Sequence, residues 1–218
     1  MPPARDRSIR TFGVVEIRAL TRDGERAALD RKPGKGWGYP EQAWLYRSAG
    51  DFYVEGRDPA ALWRRFAVES GGIEPDEWQR LRRAELTPRL ETFLRMDATA
   101  SGIFLKTAFT KPTRVEVWHG HRIRLPFGLT FATQRGKTMR LLWPERDHGP
   151  RSRGINLLAT ATFAIADDSN YDLAAIEAWH LRGGEISVFD ARDLRRNYSQ
   201  LDRLLTATER PAGEPPAA

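Results

Sequence analysis

The chain has 218 residues, 40% of them hydrophobic and 29% charged, with ten Phe and seven Trp, a composition that excludes a largely disordered protein. The absence of cysteine excludes disulfides and thiolate metal sites. A formal net charge of +6 and a pI near 10 imply attraction to phosphates or anionic surfaces without bearing on the fold.

Residues 1–10 carry charges and no apolar run, so they read as no signal peptide, and residues 1–7 as a frayed end. Residues 9–20, rich in Thr, Phe, Val and Ile, predict a first strand. Residues 30–40, with Gly34, Gly36 and Gly38 around Trp37, are a glycine-rich connector whose spacing fits neither the P-loop nor the dinucleotide fingerprint. Residues 42–47 and 51–55 predict short strands around Ala49-Gly50. Asp58 as N-cap and Pro59 at the first helical position open a helix to about Glu69. That helix buries Ala61, Leu62 and Phe66, and Gly71-Gly72 ends it. A second helix starts near Pro75 with Trp78, Leu81, Leu86, Leu90, Phe93 and Leu94 as its stripe, broken or kinked at Pro88. Residues 58–105 hold seven basic and eight acidic side chains, a balance that suits a scaffold.

The positive charge is concentrated in residues 106–154, where eleven Lys/Arg face three acids, a net of +8. Arg supplies thirty of the thirty-five basic residues, and its planar fork suits phosphate and bases, although Arg codons also follow GC content. Residues 113–118 and 122–125 alternate on either side of His119-Gly120-His121 and predict a hairpin. The alternation is expected to put Arg114, Glu116 and Trp118 on the solvent face with Arg122 and Arg124, and Val115, Val117, Ile123 and Leu125 on the core face. Residues 129–133 and 138–143 predict a second hairpin around a basic turn, Gln134 to Lys137. Residues 145–154 read as a polar loop with Arg146, Arg151 and Arg153.

From Ile155 the sign reverses to ten acids against six basic residues. Residues 155–166, the longest largely apolar window, are too short to span a bilayer, and residues 155–165 fit a buried strand or a helix. Residues 167–170 form a turn or cap. Residues 171–181 fit a helix capped by Gly183-Gly184, or a strand that those glycines fold onto the strand 185–189. Residues 193–205 predict a closing helix with Leu194, Leu201, Leu204 and Leu205 inward, followed by a flexible Pro- and Ala-rich tail, 208–218.

His119 and His121 share the metal-friendly i, i+2 spacing of a strand, but two imidazoles do not make a site. No serine lies in a nucleophile elbow; Ser152, Ser169 and Ser187 occupy a loop, a cap and a strand. The acids Asp167, Asp168, Asp172, Glu177, Glu185 and Asp190 lie next in sequence to the basic segment. Carboxylates holding Mg²⁺ beside a phosphate-binding surface are what metal-dependent phosphodiester cleavage requires.

Asn170 to Ala175, followed by Gly184 to Arg192, resembles the second half of a PD-(D/E)XK nuclease core. The resemblance implies that Asp172 is a first metal ligand at a strand start and Asp190 a second. Arg192 stands where the family has the lysine of an acid-x-Lys strand. Arg192 keeps the charge but cannot act as a deprotonated base, and no Glu-bearing helix precedes the motif.

The expected fold is one α+β domain over residues 8–207. It has a largely antiparallel mixed sheet, two or three helices in the first half and one C-terminal helix. The expected function is cytoplasmic binding of DNA or RNA. Arg114, Arg122, Arg124, Arg135, Lys137, Arg140, Arg151 and Arg153 would contact phosphate, and Trp118 would be a stacking platform. The alternatives are a Mg²⁺-dependent nuclease using Asp172 and Asp190, and a module whose basic face meets an acidic protein or another copy.

Overall fold

The computed structural model describes residues 11–12, 17, 40–70, 77–108, 115–124, 128–143, 153–169 and 171–209. After the two-residue strand β1 (Thr11–Phe12), Ile17 is buried in helical backbone, and the rest of the expected first strand lies outside the described residues. The two strands expected over 42–47 and 51–55 are instead one helix, α1 (Pro40–Val54). Trp44, Leu45, Ser48, Ala49, Phe52 and Tyr53 are all buried, a spacing that a helical face satisfies and strict alternation does not. Gly50, read as part of a turn, lies inside the helix. The ~1 kcal/mol it costs there is small beside a buried face whose large side chains each contribute about 1.5–3 kcal/mol.

Helix α2 (Pro59–Glu69) starts as expected, with the Asp58 carboxylate accepting the Ala60 N–H at 2.8 Å, a cap that contributes about 1 kcal/mol. Leu62 and Phe66 are buried beneath it and Ala61 is half-buried. The Ser70 hydroxyl closes its end by donating to the Phe66 carbonyl at 2.5 Å; Gly71-Gly72 lies outside the described residues. Helix α3 (Glu77–Thr99) continues through Pro88 and buries Leu86, Leu90, Phe93 and Met96.

A five-stranded sheet follows, built from β2 (Ile103–Ala108), β5 (Gly128–Thr133), β6 (Gly136–Trp143), β7 (Ala175–His180) and β8 (Glu185–Asp190), side by side in that order. Only β6 and β7 pair parallel. A parallel pair needs a crossover, and α4 (Arg153–Asp168) supplies it. The segment 155–165 is therefore helix, buried on nearly every side, so apolar and small residues fill almost every position of it. The segment 171–181 takes the hairpin alternative and folds onto β8. The expected closing helix is two: α5 (Ala191–Arg196) and α6 (Tyr198–Glu209), divided at Asn197. Helix α6 extends two residues into the segment expected to be a flexible tail.

The fold is α+β, with a mostly antiparallel mixed sheet between two helical layers. On one face α1–α3 pack Phe52, Tyr53 and Phe93 against Leu129, Phe131, Leu142 and Trp179. On the other, α4–α6 pack Phe163, Leu194, Leu201 and Leu205 with Met139, Leu141 and Ile176. A smaller sheet, ordered β1-β4-β3 with β3 (Val115–Trp118) and β4 (His121–Arg124), adds Trp118 and Ile123 to this second core. Among the described residues no helix is long and apolar enough to cross a membrane.

Candidate nucleic-acid interface

The first basic hairpin forms, with one strand facing opposite to expectation. Its turn has two residues, His119 (φ 49°) and Gly120 (φ 86°), so Trp118 pairs with His121 and Val117 with Arg122. Directly paired residues share a face. Trp118 therefore turns inward with His121 and Ile123, while Val117 turns outward with Arg122: Trp118 is 4% exposed and Val117 59%. The stacking platform expected at Trp118 is thus a core residue, stacked on His119 at 4.2 Å and edge-on to Tyr198 at 5.6 Å. Arg122 is exposed as expected. Arg124 ends β4 opposite Val115, and Arg114 lies outside the described residues. His119 Nδ1 and His121 Nε2 both approach Asp202 Oδ1 on α6, at 3.5 and 3.2 Å. They pin the hairpin to that helix.

The second hairpin also forms, with Gln134-Arg135 as its turn and Gly136 at φ 104°. Arg135 is exposed, and its nearest described acid is Asp190 at 3.7 Å, both side chains being about 60% exposed. Lys137 donates from Nζ to the Tyr171 carbonyl at 2.9 Å. The Lys106 ammonium on β2 sits 4.5 Å from the centre of the Tyr171 ring. Lys106 and Tyr171 were not among the expected site residues. No local pattern links position 171 to 137 or 106; the β6–β7 parallel pairing and the return of the chain from α4 bring them together.

Arg140 does not belong to this surface. Its side chain is 3% exposed, and its Nε donates to Glu177 on β7 at 2.9 Å. Its Nη2 donates to the Ser101 carbonyl at 2.5 Å, and the guanidinium lies 3.7 Å from the Phe131 ring centre and 4.7 Å from that of Trp179. The Trp179 indole donates to the same Glu177 oxygen at 3.2 Å. Beside this pair, Tyr53 donates to Asp97 at 2.6 Å, and Arg57 forks onto Asp97 through Nε and Nη2 at 3.1 and 2.6 Å. Burial, then the Asp97 bond, push the Tyr53 hydroxyl well above its ordinary range. Arg140 thus joins the sheet to the α1–α3 layer and cannot reach a phosphate. It is corrected from contact to core.

The carboxylates of the nuclease resemblance come to one end of the β7–β8 pair. Asp190 closes β8 opposite Ala175, and Asp172 stands three residues before Ala175, exposed, with φ 49°. Asp190 alternates with the exposed Val188 and Ile186 on one face of the sheet, whereas Lys137 alternates with Met139 on the other. Arg192 lies on α5, so the acid-x-base unit straddles a strand–helix junction and does not lie along a strand. Two carboxylates are hard oxygen donors of the kind Mg²⁺ takes. However, no group of three or more His, Asp or Glu among the described residues is arranged to hold a metal, and Asp190 faces Arg135. The residues present do not form a self-contained Mg²⁺ site.

Of the remaining expected contacts, Arg153 opens α4 and Arg151 lies outside the described residues. The structure therefore brings Lys137 and Lys106 together at Tyr171 and Arg135 to Asp190. It leaves Arg122 on the other sheet and withdraws Arg140 and Trp118 into cores. No family model matches the chain, and no curated protein matches it.

Proposed function

We propose that the chain is an intracellular nucleic-acid-binding protein. Its principal contacts are Arg135, Lys137 and Lys106, with Arg122 on the smaller sheet as a second point of attachment. The observation that carries this reading is the state of Arg135: exposed at a turn tip and opposed by one loosely held, exposed carboxylate. An ion pair of that kind contributes little to stability, so a phosphate, which Arg binds through two parallel hydrogen bonds, readily replaces it. A cation over the Tyr171 ring, next to a second cation at the Tyr171 carbonyl, supports the same reading, because strand binders combine basic grooves with aromatic faces. Contacts of this type go to the backbone and carry little sequence information.

The test is a titration with single- and double-stranded DNA and RNA at two salt concentrations. Affinity is expected to fall steeply with salt, and Arg135→Glu with Lys137→Glu to weaken binding alike for all sequences. Failure to bind any of the four, with self-association or capture of an acidic protein, favours the protein-interaction reading. Phosphodiester cleavage through Asp172 and Asp190, the alternative expected from the sequence, is the reading that the geometry favours less, because the two carboxylates do not by themselves make a metal site. Incubation with supercoiled and single-stranded DNA in Mg²⁺ or Mn²⁺ decides it: no cleavage, or cleavage unchanged by Asp172→Ala, removes it.

A further inference from the structure

The turn that folds β7 onto β8 holds a polar group that nucleic-acid binding does not use. His180, the last residue of β7, is 5% exposed, and its Nε2 lies 3.0 Å from the Ser187 Oγ on β8. His180 pairs with Glu185, and Ser187 with Ala178. Paired and alternate residues share a face, so His180, Glu185 and Ser187 project from the same side of the hairpin. That side lies under the start of α4, whose Ile155 and Leu158 pack with Ala178 and Phe189.

We propose that Ser187 and His180 form a nucleophile–base pair acting on small esters or similarly activated acyl groups, with Glu185 as a positioning residue. A hydroxyl in hydrogen-bond contact with an imidazole is the minimal unit of serine nucleophilic catalysis, and a nearby carboxylate stabilises the imidazolium formed during attack. Burial holds the His180 imidazole below its ordinary pKa while the Glu185 charge works in the opposite direction, which leaves a neutral base at pH 7. In the first step the Ser187 oxygen bonds to the acyl carbon and its proton passes to His180 Nε2. Collapse breaks the bond to the leaving alkoxide, which takes that proton. Water then repeats the sequence, freeing the acid and restoring Ser187.

The experiment exposes the purified chain to diisopropyl fluorophosphate, in which the serine oxygen bonds to phosphorus and fluoride leaves with the proton, and maps the adduct by mass spectrometry. Turnover of p-nitrophenyl acetate is followed in parallel. A single adduct at Ser187 is expected, slowed about 100-fold or more by His180→Gln and abolished by Ser187→Ala. Glu185→Gln is expected to move the acid limb of the pH–rate profile to lower pH, a change that a merely structural role does not produce. An unlabelled native chain, an adduct on another serine, or a labelling rate indifferent to His180→Gln in a variant that retains its cooperative unfolding overturns the proposal. The nucleic-acid reading is unaffected either way.

Discussion

Arg122 and Arg140 occupy similar places: each lies on the second strand of a basic hairpin in the same Arg-rich segment. Arg122 is exposed on β4, in a small sheet that contributes Trp118, His121 and Ile123 from its other face. Arg140 is on β6, the middle strand of the five-stranded sheet, where helices cover both faces, and it is almost fully buried against Glu177. Identical side chains thus become a surface charge in one hairpin and a buried ion pair in the other. What decides is the number of covered faces around the strand, so a count of charges along the sequence overstates the field that a polyanion meets.

The largest expected effect breaks the buried member of this comparison. Arg140→Ala leaves the Glu177 carboxylate without its partner in a largely dry site, and is expected to cost about 3–5 kcal/mol in urea unfolding. Replacing both partners, Arg140→Met with Glu177→Met, is expected to recover most of that loss, because a well-packed apolar pair avoids the desolvation cost. If the single and double variants unfold alike, the pair is not what holds β6 to β7.

Next in size is the exposed member. Arg122→Glu and Arg135→Glu are each expected to change stability by no more than about 0.5 kcal/mol. Each is also expected to weaken oligonucleotide binding by roughly 10-fold or more, since a charge-assisted hydrogen bond contributes about 1.5–3 kcal/mol. The slope of log affinity against log salt is expected to fall by about one per contact removed.

The smallest effects are in pH. His180 has its folded pKa lowered from the ordinary 6.5, chiefly by burial, so the unfolded chain binds more protons just below that value. Stability is therefore expected to fall as pH drops below about 6.5 and to level off below the folded pKa, and His180→Gln to remove that slope. Asp167 has its pKa lowered, first by its hydrogen bond from Arg195, so its contribution is present above the ordinary 3.8 and lost as pH falls towards the folded value. Because the Arg195–Asp167 pair is partly exposed, Arg195→Ala is expected to change the acid limb only slightly. Urea midpoints measured from pH 3 to 8 check both.

Local chemistry made much of this fold legible. Asp58-Pro59 marked the start of α2, and alternation on either side of a short turn marked both hairpins. The helix α1 was not legible as such because Ala49-Gly50 mimics a turn, and only burial on α3 and the sheet shows that one face is continuous. The facing of Trp118 was in principle readable: a two-residue turn at His119-Gly120 forces Trp118 opposite His121, which excludes it from the face of Arg122. The burial of Arg140 was not readable, since it depends on β7 lying parallel to β6 after a helical crossover that leaves no local mark at position 140. The same crossover brings Tyr171 to Lys137, so the candidate interface was visible as a charge count and not as a place.

The most direct test is one salt titration of a fluorescent oligonucleotide against the native chain and two charge-reversed forms, Arg135→Glu/Lys137→Glu and Arg64→Glu/Arg196→Glu. The second form removes exposed arginines of α2 and α5 that pair with Asp58 and Asp193, and so matches the change in net charge away from the proposed contact. The account predicts steep salt-dependent binding that the first form loses and the second largely keeps. Equal losses in both, or no binding by the native chain at low salt, contradict it.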